Sequence, residues 1–421
     1  MEEAPVDEVV IERVAAIDIG KAEVVCCARV PSPTRRGRRA QEVRKFSTMT
    51  RSLTELSQWL AGLGVTRVVM EATSDYWKPV FYLLEAAGFE TWLVNARDVK
   101  HLPGRPKTDR LDAVWLCKVA ERQMLRPSFV PPEPIRRLRD LTRYRIDLVD
   151  ERSRAKMRVE KLLEDAGIKL SVVASDIFGA SGRSMLAAMV AGERDPKVLA
   201  NLARRTMRAK IPALEEAFTG RFAEHHAFRL QRMLDHVDGI DAELDMLDAR
   251  IEETIGPFAD AAERLDTIPG VATTAARVII AEIGVDMTRF PTAAHLASWA
   301  RFAPGVNQSA GKAIGNGATG HGNRYLARIL GEGAMGASKT NTFLGERYRR
   351  IARRRGKKRA LVAVGRSILT IIWHLLADPD AVFVDLGPEH YPNRLRSDRA
   401  VRNHIRGLHA LGYTVTLNPA A

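Results

Sequence analysis

Four acidic residues in the first third of the chain have the spacing of a metal-dependent catalytic site. Asp18 lies at the end of the apolar run RVAAIDI, and Glu71 follows the β-branched run RVVM. Asp109 and Asp112 are three residues apart at the start of a predicted helix, so their side chains share one face. Gathered carboxylates repel each other, and Mg²⁺ or Mn²⁺ relieves that repulsion. The set therefore predicts a two-metal site for phosphoryl transfer, although each acid taken singly also fits a surface or capping residue.

The segments that carry these acids alternate between strand-like and helix-like patterns, which predicts an α/β domain over residues 10–130. Predicted strands cover residues 13–19, 23–30, 40–47, 67–70 and 90–94, and predicted helices cover residues 50–60, 76–87 and 109–123. In such a domain, the ends of neighbouring strands and an adjoining helix can converge on one site.

The proline-rich segment FVPPEP at residues 129–134 predicts a boundary, after which the pattern is helical. We expect a helical, coiled-coil region over residues 131–262, with long helices at residues 135–167 and 228–255. Their heptad-like apolar spacing fits either a bundle within one subunit or a dimerising arm. A mostly helical domain is expected over residues 263–380, and the tail, residues 381–421, has no assigned function.

Three features of the second half favour nucleic-acid binding. The sequence IPGV at residues 268–271 is typical of a helix-hairpin-helix turn, whose backbone N–H groups approach a phosphate, or of a plain turn between core helices. The glycine-rich stretch 301–322 is longer than an ordinary connection. Residues 347–359 are strongly basic, which favours a phosphate-contacting surface over a merely solvated helix face. The candidate contacts are Lys312, His321, Asn323, Arg324, Arg349, Arg350, Arg353, Arg354, Arg355, Lys357 and Lys358.

Composition narrows the class of protein. A formal net charge of +14 over 421 residues predicts a polyanionic partner, nucleic acid before a membrane surface. Three cysteines exclude a disulfide framework and fit a reducing compartment, and the acidic N-terminus is unlike a signal peptide. The apolar stretch 360–377 contains Arg366 and His374, so we expect a buried helix and no membrane partner.

Several strings resemble one family. AAIDIGK, VVMEATSDYW and VKHLPGRPKTDRLDAVWL in the first half are similar to the DEDD-type transposases of bacterial insertion sequences. That family is related to the pilin-gene inverting recombinases and includes bridge-RNA-guided recombinases. In the second half, IPGVATTAARVIIAEIG and SWARFAPGVNQSAGKAIGNGATGHGNRYLARIL resemble the same family's second domain. The resemblance spans residues 12–375 and departs at Thr73-Ser74-Asp75, where many relatives carry Thr-Gly; we interpret Asp75 as a helix cap.

The resemblance implies a RuvC-like (RNase H-like) domain in which Asp18, Glu71, Asp109 and Asp112 bind Mg²⁺. It also implies that Ser309 is the catalytic serine, which cleaves and rejoins DNA through a phosphoserine link. The tetrad and the serine would come from different subunits of a tetramer built from dimers. The implied partners are donor DNA, target DNA and a guide RNA that pairs with both, in the bacterial cytoplasm at the nucleoid.

The residues alone leave other functions open. A serine hydroxyl is a poor nucleophile without a base or metal, and Lys312 is the sole charge partner near Ser309 in the sequence. A metal-dependent nuclease or junction resolvase would use water and need no serine. A non-catalytic nucleic-acid-binding protein would use the residue 268–271 turn and the basic segment. No helix-turn-helix or zinc-finger pattern is evident, which is compatible with specificity delegated to paired RNA.

Overall fold

The computed structural model describes residues 11–34, 38–96, 99, 109–305, 307–309, 312–314, 319–320 and 322–416. Within these ranges, only the backbone is described for residues 109–110, 307–309, 312–314, 392 and 394–399. The chain divides into two compact units, Met1–Val130 and Pro131–Ala421.

The first unit contains a five-stranded mixed sheet in the order β3-β2-β1-β4-β5. Its elements are β1 (Val14–Ile19), β2 (Glu23–Pro31), β3 (Arg39–Ser47), α1 (Thr50–Gly62), β4 (Arg67–Glu71), α2 (Trp77–Ala86), β5 (Glu90–Val94) and α3 (Asp109–Glu121). The first three strands pair antiparallel, whereas β4 is parallel to β1 and β5 is parallel to β4. The predicted α/β arrangement of strands and helices is confirmed.

Alternation along the strands divides the core of this unit between two faces of the sheet. Ile17 and Met70 pack in one buried cluster with α1 and α2. Val14, Ala16 and Val69 pack in a second cluster with α3. Because successive side chains of a strand point to opposite faces of the sheet, alternate residues pack against different helices.

The second unit begins with a long helix, α4 (Glu133–Asp165). A second long helix later in the chain, α9 (Glu224–Ile255), runs antiparallel to it. Leu148 and Ala155 of α4 pack against Val237, Ile240 and Leu244 of α9. The heptad stripe that was compatible with either a bundle or a dimerising arm is therefore occupied by a helix of the same chain.

Short helices connect α4 to α9, and the sequence patterns did not predict them. They are α5 (Leu170–Val173), α6 (Ala180–Val190), α7 (Pro196–Asn201), a 3-10 helix (Arg205–Lys210) and α8 (Ile211–Ala217). Met185, Leu186, Leu199 and Leu214 pack there against the ends of the two long helices. Except for α6, which has 11 residues, these helices have about two turns or fewer, so their periodic pattern is weak.

The remaining elements form a helical assembly with one small hairpin. They are a 3-10 helix (Gly256–Phe258), α10 (Ala259–Asp266), α11 (Thr273–Ile283), a 3-10 helix (Met287–Arg289), α12 (Ala293–Trp299), β6 (Asn307–Ser309), β7 (Lys312–Ile314), α13 (Arg324–Ser338), α14 (Phe343–Arg355), α15 (Lys357–Ala377) and α16 (His390–Ala410). Among the described residues, α15 alone is long and apolar enough to cross a membrane, a test that core helices also pass. Its Val364, Ile368 and Ile372 are fully buried in this assembly.

The turn between α10 and α11 contains Gly270, which has a φ of +88°. A Cβ at this position would lie 2.1 Å from the carbonyl oxygen of Gly333 and 2.7 Å from the amide nitrogen of Ala337, both in α13. Glycine is therefore required at position 270 because the turn approaches the backbone of α13 closely. This contact accounts for the glycine without a phosphate, and the hairpin's role in nucleic-acid binding stays a prediction.

Candidate active site

Asp18 and Glu71 occupy equivalent positions on neighbouring parallel strands. The β1–β4 register pairs Ile17 with Met70, so the two acids are the next residues on their strands, at the carboxyl end of each. By alternation, both lie on the face that carries Ala16 and Val69, which is the face packed against α3. Strand pairing and side-chain parity together bring these two carboxylates to one edge of the sheet.

Asp112 comes to the same place from the first turn of α3. Ala113, Leu116 and Cys117 of this helix are buried against the sheet and set its rotation. Asp18, Glu71 and Asp112, all half-buried, line one small cavity. The cavity is closed by Val99, Trp115 and Leu116. The spacing had not singled out these apolar side chains, although Trp115 and Leu116 follow Asp112 by one helical turn.

Asp109 is the first residue of α3, one turn before Asp112, and its side chain lies outside the described part of the structure. Among the residues whose side chains are described, no group of three His, Cys, Asp or Glu is close enough to form a metal site. The cavity has about 10 Å³ of room for a water-sized particle, enough for about one ion. Carboxylate oxygens are the donors that hard divalent cations prefer, so the three acids fit such an ion by their chemistry.

Helix α3 is held on the sheet by polar contacts at its far end. Glu121 is buried, and its Oε2 accepts a hydrogen bond from Nε of Arg29 on β2 at 2.8 Å. Arg39 on β3 forms an ion pair with the same carboxylate. The Cys117 thiol donates to the carbonyl oxygen of Val14 at 3.6 Å. Such contacts limit the sliding of α3 along the sheet, and thereby keep Asp112 near the strand ends.

Of the three buried free thiols, Cys27 and Cys117 lie in this helix–sheet contact, whereas Cys26 lies on the opposite face of the sheet. A hydrogen bond with Cys117 lowers the pKa of the Cys27 thiol. Burial raises the pKa of Cys26 and Cys117 well above the usual range, and the like charge that a Cys27 thiolate would carry adds to both shifts. Cys27 and Cys117 pack as small apolar groups between β2 and α3, and Cys26 packs in the cluster with α1 and α2.

Ser309 is the last residue of β6, and its backbone pairs with Lys312 of β7. The side chains of both residues, and all of His321, lie outside the described part of the structure. At the ends of the glycine-rich stretch, a Cβ on Gly322 would lie 3.0 Å from the carbonyl oxygen of Ala300 and 3.0 Å from Cγ of Arg301. The two ends of the stretch therefore lie against each other at the helical assembly.

Asn323 begins α13 as its N-cap. Its Oδ1 accepts hydrogen bonds from the backbone amides of Tyr325 at 3.0 Å and Leu326 at 3.1 Å. Its amide group donates to Glu282, a fully buried carboxylate that the sequence patterns had not singled out. In contrast, the Arg324 side chain is 73% exposed and pairs with Asp147 at 3.2 Å. Of these two predicted phosphate contacts, Asn323 therefore has a structural role, as the N-cap of α13 and a partner of Glu282.

The basic segment divides into packed and exposed residues. Arg349 pairs with Glu346 at 3.0 Å and donates to the carbonyl oxygen of Thr340 at 3.1 Å. The Arg350 guanidinium lies 4.1 Å from the ring centre of Tyr391. The exposed members, around the junction of α14 and α15, are Arg353, Arg354, Arg355, Lys357 and Lys358. Five of the seven predicted contacts thus face solvent.

Two family profiles match this chain. Residues 15–168 match a profile named DEDD_Tnp_IS110 and described as a transposase. Residues 262–349 match the profile described as "Transposase IS116/IS110/IS902 family". The chain belongs to the IS110/IS116 family of transposases. The DEDD domain of this family is RNase H-like, which agrees with the strand order observed around Asp18 and Glu71.

Individual relatives agree with this assignment. The chain is 25% identical over 332 residues to the "Transposase for insertion sequence element IS1111A" of Coxiella burnetii, covering 75% of this chain and 79% of that protein. It is 27% identical over 322 residues to an insertion element IS116 protein of Streptomyces clavuligerus, covering 70% and 78%. It is 35% identical over 116 residues to an insertion element IS110 protein of Streptomyces coelicolor, covering 27% and 28%.

The IS110/IS116 assignment makes the chain an enzyme, a DNA transposase or recombinase. It argues against the non-catalytic nucleic-acid-binding alternative. DEDD-type transposase domains use divalent metal ions in general, which agrees with the carboxylate chemistry of the cavity.

Proposed function

We propose that this transposase cleaves and rejoins DNA strands through a transient phosphoserine at Ser309, with Mg²⁺ bound by Asp18, Glu71, Asp109 and Asp112. The observation that supports it most is the cavity that carboxylates from β1, β4 and α3 line together. These elements are distant in sequence, and capping or surface roles for each acid do not explain why they converge.

The carboxylates are the residues that would hold the ion. Asp18 and Glu71 are positioned by strand register, and Asp112 by the packing of α3. When bound, a divalent ion lowers the pKa of a coordinated hydroxyl and stabilises charge on a phosphate oxygen. The apolar wall formed by Trp115 and Leu116 limits access of water to this edge of the sheet.

In the proposed reaction, the Ser309 Oγ loses its proton and forms a bond to a DNA phosphorus atom, while one strand oxygen leaves that phosphorus as a hydroxyl group. A hydroxyl of a second DNA end then attacks the same phosphorus and displaces the serine, which regains a proton. Each exchange breaks one phosphate ester and forms another, so no ATP is required. The site of Ser309 at the end of β6, in a glycine-rich loop, is compatible with access to DNA.

The proposal also includes the molecules that the transposase binds. The net charge of +14 and the exposed arginines and lysines of residues 353–358 support binding to DNA backbones. Two further parts of the proposal rest on the family resemblance: a guide RNA that selects donor and target DNA, and a tetramer, built from dimers, whose subunits share composite sites.

A covalent-trapping experiment tests the proposal. Purified protein, RNA transcribed from the element's flank, and labelled donor and target DNA are mixed with Mg²⁺, denatured, and examined for label on the protein. We expect an adduct with the wild type and with Ser338→Ala, a serine that only bonds its own helix. We expect none with Ser309→Ala, with Asp18→Asn, or when RNA is omitted.

A metal-dependent nuclease that uses water is the second candidate, because the carboxylate cavity by itself suffices for that chemistry. Cleavage without an adduct, equally strong in Ser309→Ala, would favour this candidate and refute the phosphoserine. Full activity of Asp18→Asn would refute both candidates.

A further inference from the structure

A cavity of about 430 Å³ lies between α4 and α9, near the first turns of α9. Phe228 and Met233 supply apolar surface, and Phe228 is 69% exposed. The cationic lining consists of Arg158, Arg229 and Arg232, with His236 beside them, and no carboxylate lines the described cavity. An exposed aromatic ring is thus surrounded by positive charge.

The packing of the helix pair does not account for Phe228. The residues of α9 that bury against α4 and its neighbours in this part of the helix are Leu230, Leu234 and Val237. Phe228 is outside that stripe, on the solvent side. What distinguishes Phe228 from other exposed apolar residues is its place in the lining of a cavity, beside Met233 and the cationic residues.

The charges in the cavity are also unlike those elsewhere on the pair. Further along, Arg145 pairs with Asp248 and Arg152 pairs with Asp241 across the two helices. Arg158 and Arg229 are exposed and have no ion pair or hydrogen bond with any residue that the structure describes. Arg232 and His236 have acidic neighbours, Asp235 and Glu151, outside the cavity lining.

We propose that this cavity binds an unpaired nucleotide of a single-stranded nucleic-acid segment. The base stacks on the Phe228 ring, and the flanking phosphates contact Arg158 and Arg229. Stacking on an aromatic side chain combined with a cationic surface is how proteins bind single strands without reading their sequence. A base inside a duplex cannot reach the ring, because it is already stacked between its neighbours. The cavity volume is in the usual range for small organic ligands.

A second copy of this chain is a poorer occupant for the cavity. A two-fold contact places the same patch on both sides of the interface. It would bring the arginines at positions 158 and 229 of both copies together, and like charges oppose such an association. A nucleic-acid strand instead brings phosphates and releases counterions.

Binding measurements on the full chain test this site. The probes are fluorescent oligothymidylate and oligouridylate of about 12 nucleotides, and a duplex of the same length. We expect Phe228→Ala to weaken binding of at least one single strand about 5- to 100-fold and to leave duplex binding unchanged. Met246→Ala, a change on α9 at a residue that is 67% exposed outside the cavity, should bind like the wild type.

Two further measurements sharpen the test. The double variant Arg158→Ala/Arg229→Ala should reduce the slope of log affinity against log salt by about 1.4 for single strands, since two phosphate contacts are lost. The second measurement compares how much affinity each single-stranded probe loses in Phe228→Ala. A larger loss for oligouridylate means that the site binds RNA, a larger loss for oligothymidylate means that it binds DNA, and equal losses mean that it accepts both.

Unchanged single-strand binding in Phe228→Ala would overturn the proposal, as would an equal loss for the duplex. If light scattering showed instead that Phe228→Ala alters only the oligomeric state, the patch would be an interface between copies. No strand cleavage is involved in these measurements, so their failure would not bear on the phosphoserine proposal.

Discussion

Replacing the buried carboxylate of Glu282 by an amide is expected to destabilise the second unit strongly. Glu282 on α11 is 0% exposed and accepts two hydrogen bonds of 2.7 Å from the guanidinium of Arg143 on α4. Arg139 donates to the backbone carbonyls of Ala281 and Glu282 nearby, and Asn323 of α13 donates to the carboxylate. One carboxylate thus joins three helices.

The size of the effect comes from the charge that Glu282→Gln would leave without a partner. Burial lowers the pKa of Arg143, but the hydrogen bond and charge of Glu282 outweigh it, so the net shift is upward and the guanidinium stays charged. Breaking a buried ion pair from one side costs about 3–5 kcal/mol. Arg143 is 34% exposed, so we expect the lower end, about 3 kcal/mol, and a Tm decrease of roughly 6–12 °C.

Urea denaturation followed by far-UV circular dichroism measures this loss, because the second unit is mostly helical. Glu252→Gln is the matched control: Glu252 is 66% exposed in its ion pair with Arg277, so its loss should be about 0–1 kcal/mol. The double variant Arg143→Gln/Glu282→Gln should be less destabilised than the sum of the single variants. A Glu282→Gln protein within about 1 kcal/mol of the wild type, or one no less stable than Glu252→Gln, would refute this reasoning.

Three other outcomes are expected. Without metal, the Asp112→Asn protein should melt at the wild-type temperature, because the substitution removes charge repulsion in the cavity. Mg²⁺ should no longer raise its melting temperature. An increase with Mg²⁺ as large as that of the wild type would contradict this. Gly270→Ala should cost about 2–5 kcal/mol in urea denaturation, from strain plus overlap with α13, whereas Gly192→Ala, with positive φ and open space, should cost about 1 kcal/mol. Alanine at all three residues of Arg353–Arg355 should lower the salt slope of duplex binding by up to about 2.7, while Arg250→Ala, an exposed arginine paired with Glu253, should leave it unchanged.

Local patterns were sufficient for the elements of the first unit. The β-branched runs around Val69 and Thr91 and the helical spacing of residues 50–60 predicted strands and helices that the structure contains. They were insufficient between Leu170 and Ala217, where short helices have too few turns to show a period. Local patterns also did not determine which helix packs against α9, because a heptad stripe specifies an apolar face and not the helix that covers it.

The candidate site shows a similar division. The positions of Asp18 and Glu71 after apolar runs were visible in the sequence, and so was the three-residue spacing of Asp109 and Asp112. The apolar wall at Trp115 was not, since a tryptophan on a helix is ordinarily a core residue. The roles of Ser309 and the guide RNA came from resemblance, and they stay predictions.

The residue types and the local periods could be read from the sequence: acids at strand ends, a glycine-rich loop, a basic segment and a large positive charge. Which of these features lie close together depends on the tertiary packing. Parallel pairing of β1 with β4 aligns Asp18 with Glu71, and the buried face of α3 turns Asp112 toward them. The same packing assigned Asn323 to a helix cap and left Phe228 exposed among arginines. Pairing register and helix rotation depend on contacts between segments far apart in the chain, and a local pattern does not contain those contacts.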